Sequence, residues 1–525
     1  MKRPGKRDNL SKEKAVQFES KQFEEYYVWL QENMPDGFFE EIEPEQYMLI
    51  AHYLMGFSLL DYYCQIQLKN EAFVLILDSP DVDMKILKNF NLFGIKNYHT
   101  FISDKPPPFP GIKQRLIIAR ILFTSFEGEK KTSLEGFLPK DQAERIYEQL
   151  TKLEPAITQE NFAAPLAKLD PLFIRSLSEE RLILALHMYF RAQTRDYCQY
   201  EVRYNEDWKK KKDTPSMQIV LAWRNTPKHK FLFRLAKMIY RHKLKIMRVT
   251  ASYIDPYSKN SILIMSLGLH GIKGKAAWEE ADIHDFLQEL VTLKYFPEGD
   301  EVEKVFVEPG LLRGNIGNLL RSVASFVHQT LVHADLNLYT LSNVIEGLCR
   351  HPELTVQICK AFELKFHPKN QNLDSYQREQ EKFAALVDHL DTGNELNDIR
   401  RKNILKQAMQ FVDCTLKTNF YRNNKSALSF RLDPIYLNNV PYHRYEKFPE
   451  LPYGIFFIQG MHFIGFHIRF KDLSRGGLRT VFPQKYEQMV SERNNVFLEC
   501  YNLALTQQKK NKDIPEGGSK GVIFL

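Results

Sequence analysis

The sequence predicts an α+β fold divided among several domains. Its 525 residues are about three to four times the length of a typical domain. Hydrophobic residues make up 44% of the chain and charged residues 26%, as in ordinary globular proteins. Short apolar runs typical of strands alternate with segments in which apolar residues recur every three to four positions, as in helices. We expect four parts, at residues 1–205, 214–300, 301–415 and 416–525.

The charge balance requires no polyanionic partner. Lys and Arg total 72 against 65 Asp and Glu, which gives a formal net charge of +7, and the lysine run at 209–212 lacks interleaved aromatic residues for stacking bases. No apolar run approaches the roughly 18 residues of a membrane span, and residues 1–14 lead into acidic sequence rather than a signal-peptide core. The six cysteines form no CxxC pair. We therefore expect a cytoplasmic protein with reduced thiols that binds neither nucleic acid nor membrane.

Most familiar catalytic and metal-binding motifs are absent from the sequence. His443, His462 and His467 have no cysteine or carboxylate at ligand spacing, which favours structural histidines over a metal site. Gly268, Gly271 and the next glycine follow a strand, but their GxxGxxG spacing differs from the dinucleotide fingerprint. There is no P-loop, HExxH or GxSxG. We expect no metal and interpret the three glycines as a surface turn.

The first part, residues 1–205, is predicted to be mainly helical, with a small amount of strand. Helical periodicity covers the segment to about residue 68 and again 140–205. Between them, apolar runs at 73–77 and 116–123 predict strands, and a short helix is predicted at 84–92. The cluster of prolines at 106–110 predicts a loop. No internal repeat is visible in the sequence.

The second part, residues 214–300, has the element order of a split ferredoxin-like module. A strand at 217–223, a helix opened by Pro227, strands at 247–253 and 262–267, and a helix over 286–293 are predicted. This order resembles the ACT-type regulatory module, and the first part is expected to contain a similar ACT-like (ferredoxin-like) region. Many such modules carry a glycine in the turn after the first strand, where this chain has residues 224–227 without one. We therefore favour a structural or oligomerising role over amino-acid binding.

The third part is predicted to be mainly helical, whereas the fourth is predicted to contain strands. Residues 310–415 are helix-rich, interrupted by a polar stretch at 367–375, and apolar runs from residue 453 to 470 predict the start of a sheet. The strand runs into two glycines between two arginines, at 475–479, and a predicted helix at 484–508 delivers a second glycine pair followed by Lys520. Paired glycines let backbone groups approach a ligand, and guanidinium groups suit a carboxylate. A desolvated lysine near positive charge gives up its proton readily, as proton exchange requires. On spacing alone, this pattern predicts either an anion site or a solvated basic loop.

These residues resemble the large NAD-specific glutamate dehydrogenases of fungi and many bacteria. The matching segments, in the order in which that family has them, are LKTNFYR at 416–422, KSALSFRLDP at 425–434, FHIRF at 466–470, RGGLR at 475–479, YNLALTQQ at 501–508 and KKNKDIPEGGSKG at 509–521. The resemblance is close over residues 395–525. It implies that residues 416–525 begin the α/β substrate domain of the enzyme and that the parts before them are its regulatory region.

The resemblance also implies roles for individual residues. Lys520 matches the catalytic lysine, which activates water and stabilises the carbinolamine. Arg475, Gly476 and Gly477 match the substrate pocket, and Lys510, with Lys509 as the alternative, matches the lysine that binds the substrate carboxylate. The implied reaction is the reversible NAD-dependent oxidation of L-glutamate to 2-oxoglutarate and ammonium.

The family's catalytic aspartate and its Rossmann domain, which binds NAD, follow the segment that contains Lys520, whereas this chain ends at Leu525. We therefore expect an N-terminal portion of the enzyme, truncated within the catalytic domain and inactive alone. It would come from an interrupted gene or be completed by a separate C-terminal polypeptide, and a homo-oligomer is expected. The alternative is a regulatory or oligomerising ACT-like protein that binds an amino acid at residues 215–295 without catalysis.

Overall fold

A computed structural model describes most of the chain. The described residues are 21–90, 95–123, 138–210, 214–227, 230–255, 258–295, 299–422, 425, 427–460, 463–510 and 516–525. They form two compact units, Met1–Leu290 and Val291–Leu525. The finer division into four parts remains a prediction. No helix within the described residues is both long enough and apolar enough to cross a bilayer.

The first unit is an eight-stranded antiparallel sheet with helices on both faces. Its strands are β1 (Tyr63–Gln67), β2 (Glu71–Leu77), β3 (Ile95–Ile102), β4 (Leu116–Phe123), β5 (Gln199–Tyr204), β6 (Met217–Arg224), β7 (Leu244–Ile254) and β8 (Ile262–Gly271). Its helices are α1 (Lys21–Asn33), α2 (Asp36–Glu41), α3 (Pro44–Met55), α4 (Val82–Lys88), α5 (Lys140–Leu153), α6 (Gln159–Leu166), α7 (Pro171–Ser176), α8 (Glu179–Thr194), α9 (Phe231–Arg241) and α10 (Ala277–Glu280). Helix α11 (Ile283–Thr292) leads into the second unit.

The sheet consists of two halves with the same topology. The strand order is β1-β2-β4-β3-β7-β8-β6-β5, and each half has the chain order strand, strand, helix, strand, strand, with α4 in the first half and α9 in the second. The halves join where β3 pairs antiparallel with β7, with His99 opposite Arg248. Residues 214–300 therefore share one continuous sheet with the residues before them, and the unit contains a structural repeat that the sequence does not show.

The alternation of side chains along the strands sorts the helices onto the two faces. Trp223 on β6 packs edge-to-face on Phe231 of α9, with ring centroids 5.2 Å apart. Val220 and Ala222, on the opposite side of the same strand, belong to the core formed with α8. Phe101 of β3 packs with the α1–α3 group. Both faces of this sheet are therefore buried, which explains the near-continuous apolar character of β6 and β8.

Three sequence expectations need correction in this unit. The helical periodicity expected up to residue 68 ends earlier, because residues 63–67 form β1, and the helical segment at 140–205 ends in β5. Strand β3 was not expected. The strands predicted at 73–77, 116–123, 217–223, 247–253 and 262–267 are confirmed, as is the helix over 286–293. Three predictions fall wholly or partly outside the described residues. They concern the N-terminal segment 1–14, the lysine run at 211–212 and the start of the helix after Pro227 at 228–229.

A buried carboxylate in this unit is neutralised by two basic side chains. Glu289 accepts a hydrogen bond from His242 at 2.8 Å and lies 2.5 Å from the Arg241 guanidinium. Burial favours the neutral acid, but the His242 hydrogen bond and the Arg241 charge outweigh it and lower the pKa of Glu289 to about 2. The carboxylate therefore stabilises the folded state.

Glu289→Gln is expected to lower the free energy of unfolding by about 3 kcal/mol at pH 7, because folding lowers the pKa of this carboxyl group from about 4.5 to about 2. The folded pKa lies below the unfolded value. The stabilisation is thus complete above about pH 4.5 and is lost as the pH falls toward 2. Urea unfolding at pH 7 and at pH 2.5 measures it, with Glu279→Gln, at an exposed position, as control. An equal difference at both pH values would contradict this account.

The second unit layers helices on a six-stranded sheet. Its helices are α12 (Gly314–Leu331), α13 (Leu341–Cys349), α14 (Pro352–Phe366), α15 (Leu373–Asp388), α16 (Glu395–Cys414), α17 (Arg444–Lys447) and α18 (Tyr486–Lys509). Its strands are β9 (Thr415–Thr418), β10 (Ala427–Leu432), β11 (Gly454–Gly460), β12 (Ile464–Arg469), β13 (Ser474–Val481) and β14 (Gly517–Phe524). The strand order is β13-β14-β12-β11-β10-β9.

Helix α12 lies at the centre of this unit. Every residue of it is buried, and Phe326 packs against Phe411 of α16, Phe466 of β12 and Phe497 of α18, with ring centroids 5.2 to 6.1 Å apart. Helices α12, α16 and α18 therefore cover one face of the sheet. The helix-rich segment 310–415 is confirmed, and its polar interruption falls between α14 and α15. The sheet begins at Thr415 rather than at 453. β9 has a single apolar residue among four, whereas β10 alternates apolar and polar residues, a strand signal that was present in the sequence.

Candidate anion-binding site

The two glycine pairs meet where β13 runs parallel to β14. Arg475 lies opposite Gly518, Gly476 opposite Ser519 and Gly477 opposite Lys520. Because paired residues of neighbouring strands point to the same face, Arg475, Lys520 and the position of Gly477 share one face. This is the face that carries α18, since Arg479, on the same side of β13, forms an ion pair with Glu499 of α18. We call Arg475, Gly476, Gly477 and Lys520 the cradle.

The two glycines of β13 lack a side chain for different structural reasons. A Cβ atom at Gly476 would lie 1.7 Å from the carbonyl oxygen of Ser519, so no side chain fits there without moving a strand. A Cβ atom at Gly477 would lie 3.4 Å from Nζ of Lys520. Gly476 thus permits the close approach of the strands, and Gly477 leaves the space beside the Lys520 ammonium open.

Helix α18 contacts the backbone of β14 directly. The Cys500 thiol lies 3.2 Å from the carbonyl oxygen of Lys520 and donates to it. Burial raises the pKa of Cys500 to about 12, so it remains a thiol donor. The amide of Gly518 donates to Oε1 of Gln508 at 2.7 Å, and a Cβ atom at Gly518 would lie 2.1 Å from the Gln508 nitrogen. These contacts fix the position from which Lys520 extends.

The cradle carries positive charge without an acidic partner. Among the described residues, neither Arg475 nor Lys520 forms an ion pair or a side-chain hydrogen bond, whereas Arg479 is neutralised by Glu499. Arg475 and Lys520 are half-buried, and the two glycines between them are exposed. Two uncompensated cations beside an open, glycine-lined surface have the chemistry that suits a small anion.

Lys510 is not brought to the cradle by any contact of the described residues. It follows α18 as the C-cap residue and is exposed, and residues 511–515, between it and β14, lie outside the described part of the chain. The neighbouring Lys509 forms an ion pair with Glu450. The structure therefore places Arg475, Gly476, Gly477 and Lys520 together, and the roles predicted for Lys510 and Lys509 remain predictions.

Sequence reasoning missed the supporting residues on α18. Cys500, Ala504 and Gln508 recur at intervals of four, so they share the helix face turned to β14. That spacing, with small side chains at the first two positions, was the available signal. Of the three histidines considered in the sequence, His443 precedes α17, His467 lies beside Phe456 on the opposite face of the sheet with ring centroids 5.7 Å apart, and His462 lies outside the described residues.

The second unit is a helix-covered sheet that carries the cradle at the edge where β13 pairs with β14. In a comparison with known protein families, residues 386–525 match the family described as "Bacterial NAD-glutamate dehydrogenase, catalytic domain". This match confirms the relationship to the large NAD-specific glutamate dehydrogenases that the motifs indicate.

Individual relatives agree. The chain is 51% identical over 129 residues to the NAD-specific glutamate dehydrogenase of Saccharomyces cerevisiae. The aligned segment covers 25% of this chain and 11% of the relative. It is 29% identical over 338 residues to glutamate dehydrogenase 2 of Dictyostelium discoideum, covering 59% and 31% of the two chains. It is 29% identical over 349 residues to the NAD-specific glutamate dehydrogenase of Neurospora crassa, and this alignment covers 59% of this chain and 32% of the relative. The matched segments span less than a third of each of these three relatives.

Proposed function

We propose that this chain supplies the substrate-binding part of an NAD-dependent glutamate dehydrogenase. The reaction oxidises L-glutamate with NAD and water to 2-oxoglutarate, ammonium and NADH. The observation that carries the proposal is the pair of uncompensated cations, Arg475 and Lys520. They lie on one face of the sheet, Arg475 two residues before Gly477 on β13 and Lys520 opposite Gly477 on β14. A dicarboxylate with one reacting carbon between its carboxylates suits such a site.

Each cradle residue has a role in this proposal. The Arg475 guanidinium binds a substrate carboxylate through its forked N–H groups. Gly477 leaves room for the substrate carbon beside Lys520. The Lys520 amine takes a proton from the attacking water and, as an ammonium, stabilises the developing negative oxygen. Lys510 or Lys509 would bind the second carboxylate.

NAD is implied by the family, where it accepts the hydride. This chain contains no GxGxxG turn, and its GxxGxxG segment has no room for a ligand at Gly271, where a Cβ atom would lie 2.3 Å from the Glu280 carboxylate. The residues present do not fit the nucleotide, so we assign none of them to it. We further propose that the two halves of the first unit are ACT-like regulatory modules, an idea supported by their shared strand and helix order. Assembly into a homo-oligomer and a cytoplasmic location remain predictions.

Arg475→Gln is expected to weaken binding of 2-oxoglutarate to the chain by about 10- to 100-fold, because a charge-assisted hydrogen bond contributes about 1.5–3 kcal/mol. Isothermal titration calorimetry measures the affinity. Lys417→Gln is the matched control, since Lys417 is exposed on β9 at the opposite edge of the same sheet. Equal affinity of the Arg475 variant and the wild type would refute the role of Arg475.

A further inference from the structure

A second cationic site lies in the first unit, far along the chain from the cradle. A cavity of about 260 Å³ opens on the sheet face that carries α2 and α8. It sits over the junction of the two halves of the sheet, where β3 pairs with β7. Its polar lining includes Glu41, His99, Arg181, Gln218, Arg248 and Thr250.

One carboxylate in this cavity is fully engaged. Glu41 lies 2.9 Å from His99 and 3.0 Å from the Arg248 guanidinium. Burial favours the neutral acid, but the His99 hydrogen bond and the charges of His99, Arg248 and Arg120 lower the pKa of Glu41 below its usual value. Glu41 is thus an anion already shared among three basic groups. The other acidic residue at the cavity, Glu40, is exposed and therefore screened by solvent.

Arg181 is the cation that this arrangement leaves without a counter-ion. Its Nε donates to the hydroxyl of Ser178, the N-cap residue of α8, at 3.3 Å, and no described carboxylate forms an ion pair with it. The adjacent Glu180 is occupied by Arg203 at 2.7 Å. Burial, with the charges of Arg248 and Arg203, lowers the pKa of the Arg181 guanidinium. A half-buried guanidinium beside a second one is unfavourable unless an anion joins them.

The guanidinium of Arg248 also has an N–H group that is not used in a hydrogen bond. Nε of Arg248 is buried and has no partner among the described atoms. Arg181 and Arg248 both line the cavity. The rest of the wall includes the apolar side chains of Phe101, Leu177 and Met247.

We propose that this cavity binds a small organic carboxylate, whose anionic group is held by Arg181 and Arg248 and whose hydrocarbon part lies against the apolar wall. The volume is larger than the roughly 150 Å³ that accommodates benzene in a protein interior and is slightly below the usual range of drug-sized pockets. Inorganic anions lack the hydrocarbon part and are expected to bind more weakly.

Isothermal titration calorimetry of the full chain with succinate, and separately with inorganic phosphate, tests the proposal. Succinate is expected to bind the wild type, and Arg181→Gln is expected to weaken that binding at least tenfold. Lys152→Gln, at an exposed position on α5 of the same unit, should bind as the wild type does. The double variant Arg475→Gln/Lys520→Ala should retain this binding too, which separates the cavity from the cradle.

Three results would overturn the proposal: no succinate binding to the wild type, unchanged binding in Arg181→Gln, or loss of binding in the cradle double variant alone. Phosphate binding without succinate binding would exclude an organic carboxylate. Thermal unfolding checks the fold of the variant: without succinate, Arg181→Gln is expected to melt no lower than the wild type, because it removes a repelled cation. Were that variant to misfold, Arg181→Lys, which keeps the charge but loses the fork, should fold and bind more weakly than the wild type.

Discussion

Lys520→Ala is expected to reduce glutamate-dependent NADH formation by about 10³-fold when this chain is joined to the C-terminal part of the Saccharomyces relative. The reason is that no other described cation shares the space beside Gly477, and a positioned proton-exchanging group contributes about 10²–10⁴ to the rate. The assay follows NADH absorbance at saturating glutamate. Lys485→Ala, at an exposed position just before α18, is the matched control.

A second substitution separates the charge of Lys520 from its proton exchange. Arginine keeps a positive charge but does not deprotonate in proteins. Lys520→Arg is therefore expected to hold the KM for glutamate within a few-fold while kcat falls nearly as far as in the alanine variant. If the arginine variant kept wild-type kcat, Lys520 would serve only to attract the substrate.

Gly476→Ala is expected to destabilise the second unit far more than Gly477→Ala, although the two glycines are neighbours on β13. A methyl group at 476 would meet a backbone carbonyl oxygen at 1.7 Å, which no rotamer change relieves, so β13 must separate from β14. Overpacking of this kind costs about 3 kcal/mol or more. At 477 the methyl group would meet only the end of the Lys520 side chain, at 3.4 Å.

The two glycine variants are compared by urea unfolding and by 2-oxoglutarate binding. Gly477→Ala should change the free energy of unfolding by less than about 1 kcal/mol, yet weaken 2-oxoglutarate binding, because the methyl group occupies the space beside the ammonium. Gly476→Ala should lose both stability and binding. Equal stability of the two variants would show that β13 does not lie against β14 as described.

Three of the strands that the sequence failed to predict are outer strands, whereas β3, which was also missed, lies at the centre of the first sheet. β1 and β5 are the outer strands of the first sheet, and β13 is an outer strand of the second. An outer strand packs against few neighbours, so its residues need not alternate between apolar and polar. In β13 nearly every residue is at least partly exposed. Central strands such as β6 and β8 are buried on both faces and carry the apolar runs that made them predictable.

The cradle was predictable only in part. Its residues could be named because RGGLR and GGSKG resemble a known family, but pattern alone left a solvated loop equally acceptable. The difference between Gly476 and Gly477 depends on the distance between two strands, and the ion pair of Arg479 with Glu499 depends on the placement of α18; neither is written in local sequence. The structural repeat of the first unit was not predictable for a similar reason, since its two halves have the same order of strands and helices but no visible sequence similarity.

The parallel pairing of β13 with β14 has a consequence for the order of folding. The pairs β9–β10, β10–β11 and β11–β12 join sequence neighbours, whereas β14 can pair with β12 and β13 only after the chain has passed through the 24 residues of α18. Contacts of higher sequence separation form later, because more chain entropy is lost before they are made. The cradle is therefore expected to appear among the last steps of folding. Ligand binding there would report that the polypeptide has completed this unit, rather than merely collapsed.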